Sequence, residues 1–228
     1  MSAALPWRLL QDGPGGPAWN MAVDEALLRL ATEKSPPVLR LYGWEHGDGA
    51  PVSLGYFQEA TVAGERPFVR RYTGGGLVDH ARDVTYTVVV PRAHPLGALS
   101  TSESYSKIHE AVAAAARAVG LDAALAPSCD EEENAACFQR AVKFDVLHAG
   151  KKIAGAAQRR TRAGMLQQGS VLLPDPARND AFRAAFPEAF AAVLGVALQP
   201  DALGFLEKQL AAELERDRYA TDAWNRQR

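Results

Sequence analysis

The chain has 228 residues, 47% of them hydrophobic, which is enough for one sizeable core, and its formal net charge of -2 supplies no overall basic field to attract nucleic acid. Met1 to Arg8 lacks the charged-then-apolar order of a signal peptide and no apolar run is long enough to span a bilayer, so a cytoplasmic protein with no membrane partner is expected. With only Cys129 and Cys137, neither a disulfide framework nor a metal site is expected.

In chain order, the spacing of apolar residues over 20–30 predicts an amphipathic helix with acidic residues early in it. Residues 38–44, 51–58 and 68–71 are rich in strand formers, and 85–90, closed by Pro91, is the clearest strand. A long helix over 102–119 follows, with Ser102 and Glu103 near its start and Gly120 beyond its end. The polar stretch 126–133 reads as a loop leading to Cys137. Residues 143–147 and 152–155 read as a hairpin turning near Ala149-Gly150, and 167–173 as a strand stopped by Pro174. From residue 179 the chain is predominantly helical. Strands separated by single helices point to an α+β fold with a mixed, largely antiparallel sheet flanked by helices, and 1–228 reads as a single domain.

Several segments carry chemistry. In Arg70-Arg71-Tyr72-Thr73-Gly74-Gly75-Gly76, two guanidiniums lead into three glycines; the pattern suits a cradle for carboxylate or phosphate, and equally a tight turn with solvated arginines. It matches no Walker or dinucleotide fingerprint. Lys151 and Lys152 point to opposite faces of a strand, and alternation alone leaves open which one turns inward. Cys137 is a nucleophile or a small buried hydrophobe, and His80 binds substrate or caps a loop.

Taken in order, Trp19-Asn20-Met21-Ala22-Val23-Asp24-Glu25-Ala26, Arg40-Leu41-Tyr42-Gly43-Trp44, Gly55-Tyr56-Phe57-Gln58, the arginine–glycine segment with His80, Cys137-Phe138, Gly150-Lys151-Lys152-Ile153-Ala154-Gly155-Ala156-Ala157-Gln158, Gln168-Gly169-Ser170 and Tyr219-Ala220-Thr221-Asp222-Ala223-Trp224-Asn225 resemble the lipoate–protein ligase A and octanoyltransferase family over nearly the whole chain. The cysteine-dependent octanoyl-carrier-protein transferases are the nearest group within it. Their usual arginine is Gly76 here, and Gln139-Arg140-Ala141-Val142 follows the Cys-Phe pair.

The resemblance implies a biotin/lipoate ligase-like catalytic domain that transfers an octanoyl or lipoyl group to a specific lysine of a lipoyl carrier domain. It assigns Cys137 as nucleophile and Lys152 as the group holding the acyl carbonyl. Arg71, Thr73, Gly74, Gly75, Gly76, His80, Gly155, Gln168 and Gly169 become the substrate-binding residues, and Trp19, Tyr42, Trp44 and Tyr56 are candidates to receive the apolar tail. The implied donor is an acyl carrier protein, the acceptor a lipoyl domain or glycine cleavage H protein, and no cofactor is required. Two other readings stand beside it: an ATP-dependent lipoate–protein ligase, needing ATP and Mg2+, in which Arg71 and Gly74 to Gly76 hold an adenylate phosphate; and a non-catalytic acyl-binding or accessory subunit.

Overall fold

The computed structural model describes residues 6–129 and 141–228, so Cys137 lies outside the described residues. In chain order the elements are β1 (Trp7–Gly15), α1 (Pro17–Leu30), β2 (Val38–Trp44), β3 (Val52–Leu54), β4 (Phe68–Arg70), β5 (Val78–Asp79), β6 (Val84–Pro91), α2 (Pro95–Ala98), α3 (Thr101–Ala118), β7 (Ala123–Leu125), β8 (Val146–His148), β9 (Lys151–Arg160), β10 (Gly164–Val171), α4 (Asn179–Leu194), β11 (Leu198–Asp201), α5 (Phe205–Leu214) and α6 (Asp222–Asn225). Eight strands form one sheet in the order β11-β1-β2-β6-β10-β9-β8-β7, and β4-β3-β5 form a second, smaller one. The pairs β1–β11, β1–β2 and β3–β4 are parallel and the remaining pairs antiparallel.

Alternation along the central strands decides what covers each face of the large sheet. Leu39 and Leu41 of β2 and Val84, Tyr86, Val88 and Val90 of β6 join a core with α3 and with Phe182, Phe186 and Phe190 of α4. The intervening Val38, Tyr42 and Val89 join a second core with α1 and α5. Every strand residue of β6 is buried because both faces are covered. On the α1 side the polar Thr85 and Thr87 are satisfied by hydrogen bonds, Thr85 accepting from Trp44 Nε1 at 2.8 Å and Thr87 donating to Asp24 at 2.7 Å.

Helix ends follow their local chemistry. Pro17 opens α1, where a missing N–H costs nothing. Ser100 and Glu103 form a reciprocal capping box on α3, so that helix begins one residue before the expected start at 102. Gly195, with φ of 66°, takes the left-handed conformation that closes α4.

The expected mixed α+β sheet is present. The expected strand over 51–58 is only Val52–Leu54, because the chain then turns at Gly55, whose N–H donates to Gln58 Oε1 at 2.9 Å. Residues 143–145 form a turn that leads into β8, with Asp145 N–H donating to Val142 O at 2.9 Å. The parallel partners β1 and β11 lie at one edge of the sheet; the proline and glycine in β1 mask its strand pattern.

Phe186 is fully buried and packs on Tyr86 and Phe190 with ring centroids 5.2 and 6.0 Å away. Phe186→Ala is expected to cost about 3–5 kcal/mol, read from urea unfolding. A loss below about 1 kcal/mol would mean that the α3–α4 core relaxes around the void.

Candidate active site

The site lies on the α1 side of the large sheet, where β10 and β9 face the small sheet and the arginine–glycine segment. One cavity, about 520 Å³ of open space including its mouth, is lined by Arg71, Gly75, Gly76, His80, Lys152, Gly155, Gln168 and Gly169 among the expected residues. Tyr42 and Trp44 also line it, whereas Trp19 belongs to a separate surface cleft and Tyr56 packs against Trp224 at 5.7 Å. Thr73 and Gly74 stand behind the wall: the buried Thr73 donates to Gln168 Oε1 at 2.7 Å, and Gln168 Nε2 donates on to Asp24 at 2.7 Å.

Lys152 reaches the cavity through a break in alternation. Between β8 and β9 the register moves from Val146 opposite Ala154 to Leu147 opposite Lys152, leaving Ile153 as an extra residue. Ile153 and Ala154 therefore both face the α3 core, and Lys152 swings to the face of Gly155. A Cβ on Gly155 would lie 2.6 Å from Lys152 Cε and 2.7 Å from its Nζ, so glycine is what lets the lysine cross the strand. Lys151 stays exposed.

The ammonium of Lys152 is anchored 2.8 Å from the fully buried carboxylate of Asp145. Asp145 also accepts from Tyr105 Oη at 2.5 Å and from the backbone N–H of Val142 at 2.8 Å. Tyr105 in turn accepts from Ala156 N–H at 3.0 Å, tying α3 to β9 beside the lysine. Burial, then the Asp145 charge, push the Tyr105 hydroxyl far above its ordinary range, so it acts as a donor. One turn along, His109 donates Nδ1–H to the carbonyl of Phe144 at 2.7 Å, holding Phe144 at φ of 73° immediately before Asp145. No sequence pattern marked Asp145, Tyr105 or His109, because they converge only through the 143–145 turn.

Arg71 is the second cation of the cavity. It is buried, donates to Ser53 O, Ser53 Oγ, Gly74 O and Gly76 O at 2.7, 2.7, 3.0 and 2.6 Å, and has no carboxylate partner among the described residues. Desolvation without a compensating anion pulls its pKa down to about 10. Its bonds shape the glycine segment, where Gly75 sits at φ of 83° with the position of a Cβ only 3.3 Å from Ala157 Cβ. Neither arginine of the segment is solvated: Arg70 and Arg71 are both buried and donate to backbone carbonyls. Gly169 has a packing reason: the Tyr86 ring lies 2.2 Å from where its Cβ would be. The lining residues not assigned to the site from the sequence include Met21 and Ser170, which lie in segments that carry the family resemblance, and Ser53 and Thr85, which carry no motif of their own.

Residues 16–197 match the family model for the lipoyl protein ligase A/B catalytic domain. The chain belongs to this family. Its curated relatives include "Octanoyltransferase LipM" of Kyrpidia tusciae, 37% identical over 273 aligned positions covering 96% of this chain and 98% of that protein. The protein of the same name from Bacillus subtilis is 34% identical, covering 97% and 98%. These alignments are longer than the chain itself, so the relatives carry insertions relative to it. Among solved structures, T. acidophilum Ta0514, described in its report as a candidate lipoate protein ligase and solved with bound lipoic acid, superposes with a TM-score of 0.80 at 26% identity, covering 98% of this chain and all of that one. A lipoate-protein ligase A bound with ATP gives the same TM-score at 26% identity, covering 97% of this chain and 98% of that one. The lipoate-ligase-like fold expected from the sequence is thus confirmed.

His109 supplies a pH test of the wall behind Lys152. Burial, only partly offset by Asp145, lowers its pKa from 6.5 to about 4. The unfolded chain therefore binds a proton between about pH 6.5 and 4 that the folded chain refuses, and stability falls as pH falls through that window, by about 3 kcal/mol from this group. The slope of unfolding free energy against pH in that range should be shallower in His109→Gln; an unchanged slope would assign the acid sensitivity to other groups.

Proposed function

We propose that this protein transfers an octanoyl group from a thioester on an acyl carrier protein to a lysine of a lipoyl domain or glycine cleavage H protein, through a thioester on Cys137. The observation that carries the reading is the Lys152 ammonium, fixed by Asp145 at 2.8 Å and delivered into the cavity across Gly155. A fixed ammonium stabilises the oxyanion that develops on an acyl carbonyl in both half-reactions. The apolar and aromatic wall of Met21, Tyr42 and Trp44 suits a medium alkyl chain. Relatives named octanoyltransferase, matched over nearly their whole length, support the same chemistry.

The assignment of Cys137 rests on its place in the Cys-Phe pair. In the first half-reaction the thiolate attacks the donor carbonyl and the carrier thiol leaves; in the second the acceptor lysine attacks and Cys137 leaves. Exchange between thioesters is nearly balanced in energy, so neither nucleotide nor metal is needed. Residues 1–228 are read as one catalytic domain. No helix of the described residues is long and apolar enough to cross a membrane, and we place the reaction in the cytoplasm.

Arg71 favours a second reading. A buried cation without a carboxylate partner among the described residues suits a carboxylate or phosphate, and a ligase of the same fold binds ATP. In that reading Mg-ATP activates free lipoate or octanoate and Cys137 is not used.

Incubation with octanoyl carrier protein in the absence of ATP should leave an octanoyl adduct on Cys137, seen by intact-protein mass spectrometry and released by hydroxylamine. Cys137→Ala should carry none, while Cys129→Ala loads normally. Transfer of free lipoate by Cys137→Ala with ATP would instead establish the ligase reading.

Lys152→Ala should abolish transfer, and because it strips a buried carboxylate of its cation it should also cost about 3 kcal/mol of stability. Lys152→Ala combined with Asp145→Asn should regain much of that stability and none of the activity. Transfer restored in the double variant would return the pair to a structural role.

A further inference from the structure

Ser53 on β3, with His80 and Asp83 on the segment between β5 and β6, forms a line of hydrogen bonds that the acyl transfer above does not use. Donor and acceptor identities orient it. Arg71 Nη1 can only donate, and it does so to Ser53 Oγ at 2.7 Å. The Asp83 carboxylate accepts, so the His80 Nδ1–H points at its Oδ2 across 3.0 Å. In the neutral imidazole Nε2 is then the acceptor, and the Ser53 hydroxyl donates to it at 2.7 Å. Thr85 and Ser170 donate to the same Asp83 oxygen at 2.8 and 2.6 Å, holding the carboxylate still. His80 is further fixed by the indole of Trp44, stacked 3.8 Å away.

A hydroxyl donating to an imidazole whose other nitrogen is held by a carboxylate is the arrangement of nucleophile, general base and orienting acid, recognised by geometry and not by chain order. Two surroundings add to it. The guanidinium of Arg71, which lacks a carboxylate partner among the described residues, lies where it stabilises negative charge developing on Ser53 Oγ. Ser53 and His80 both line the cavity that receives Lys152, so an acyl carbonyl held there is offered an oxyanion partner and a nucleophile at once.

We infer that Ser53 is an acyl acceptor in this cavity, through which the protein slowly hydrolyses octanoyl esters and thioesters to octanoate. The inference rests on the cavity being an acyl site, and does not depend on Cys137. Ser53 Oγ bonds to the carbonyl carbon while its proton passes to His80 Nε2. The C–O or C–S bond of the donor breaks, and the departing alcohol or thiol takes that proton. Water then attacks the acyl-serine and gives a proton to Nε2, which returns it to Ser53 Oγ as the ester bond opens. The sum is ester plus water to acid plus alcohol or thiol, with nothing oxidised or reduced.

The test uses the full chain with Cys129→Ala and Cys137→Ala, so that neither thiol competes, and p-nitrophenyl octanoate as the probe. Release of p-nitrophenolate should exceed that of buffer, disappear in Ser53→Ala, and fall about a hundredfold in His80→Ala. Asp83→Asn, which keeps the shape of the side chain but removes the charged acceptor of His80 Nδ1–H, should lower kcat with KM unchanged. Lys151→Ala, on the exposed side of β9, should release at the parent rate. Ser53→Cys keeps a nucleophile at the position and should retain an octanoyl group on residue 53, located by peptide mass spectrometry, which decides the matter even where Ser53→Ala folds poorly. Release no faster than buffer, release unchanged in Ser53→Ala, or Ser53→Cys protein without octanoyl on residue 53 overturns the inference. Loading of Cys137 by octanoyl carrier protein is a separate measurement, so its failure beside Ser53-dependent ester hydrolysis overturns the transferase reading and leaves this inference standing.

Discussion

One extra residue in β9 decides the chemistry of the cavity. Had β9 kept strict alternation, Lys152 would point with Ala154 into the α3 core, where an ammonium has no water and few acceptors. Ile153 absorbs the bulge because it is apolar and finds that core beside Ala154. Gly155 accepts the crossing side chain because it has no Cβ to oppose it. The 143–145 turn then brings Asp145 under the ammonium, with Tyr105 and the Val142 N–H completing the carboxylate's partners. Bulge, glycine and carboxylate act together, since a lysine turned to this face without Asp145 would be an uncompensated charge at the wall.

Two buried arginines of this molecule differ in the partners that the fold gives them. Arg40 is fully buried, yet its guanidinium meets Asp24 at 2.8 Å and Asp12 at 2.6 Å, and donates to Asn20 Oδ1 at 3.1 Å. Its pKa is raised despite desolvation, the mark of a charge whose partners are already present. Asp24, shared with Tyr42, Thr87 and Gln168, makes this the pin between α1 and the sheet. Arg71 is buried to nearly the same degree among carbonyls and a hydroxyl, and its pKa falls. A buried cation at a cavity wall with no carboxylate partner among the described residues gains when a ligand brings negative charge.

Much of this was legible in the sequence, for reasons that differ by element. The β6 run of Val and Thr residues and the capped helix before Gly120 are local patterns, and local patterns survive without tertiary information. The arginine–glycine segment and Gly150-Lys151-Lys152 marked the site because glycine clusters and adjacent lysines are unusual together. What stayed hidden depended on contacts distant in sequence. Asp145 acts through Tyr105, 40 residues away, and Ser53 through His80, 27 residues away. The face of Lys152 was undecidable because a bulge leaves no period-two signature. The edge strand β11 and its neighbour β1 pair across the length of the chain, and neither alternates strongly enough to declare itself.

The glycines of the motifs separate once their surroundings are known, and the separation bears on how the cavity works. Gly169 yields its side-chain space to the Tyr86 ring, and Gly55 yields its own to the Gly75 carbonyl, 1.9 Å from where a Cβ would stand. Those two hold the walls together. Gly155 makes room for Lys152, and Gly75, at positive φ, lets Arg71 reach its neighbouring carbonyls. Each cation of the cavity is thus placed by a glycine and then fixed by hydrogen bonds, Lys152 to a carboxylate and Arg71 to carbonyls and Ser53. The two long side chains at the cavity are held by protein partners, so little rotamer entropy would remain to be lost on binding a ligand there. A Cβ at Gly155 would push Lys152 off the carboxylate that positions it, so the glycine pattern and the electrostatics of the site are one constraint.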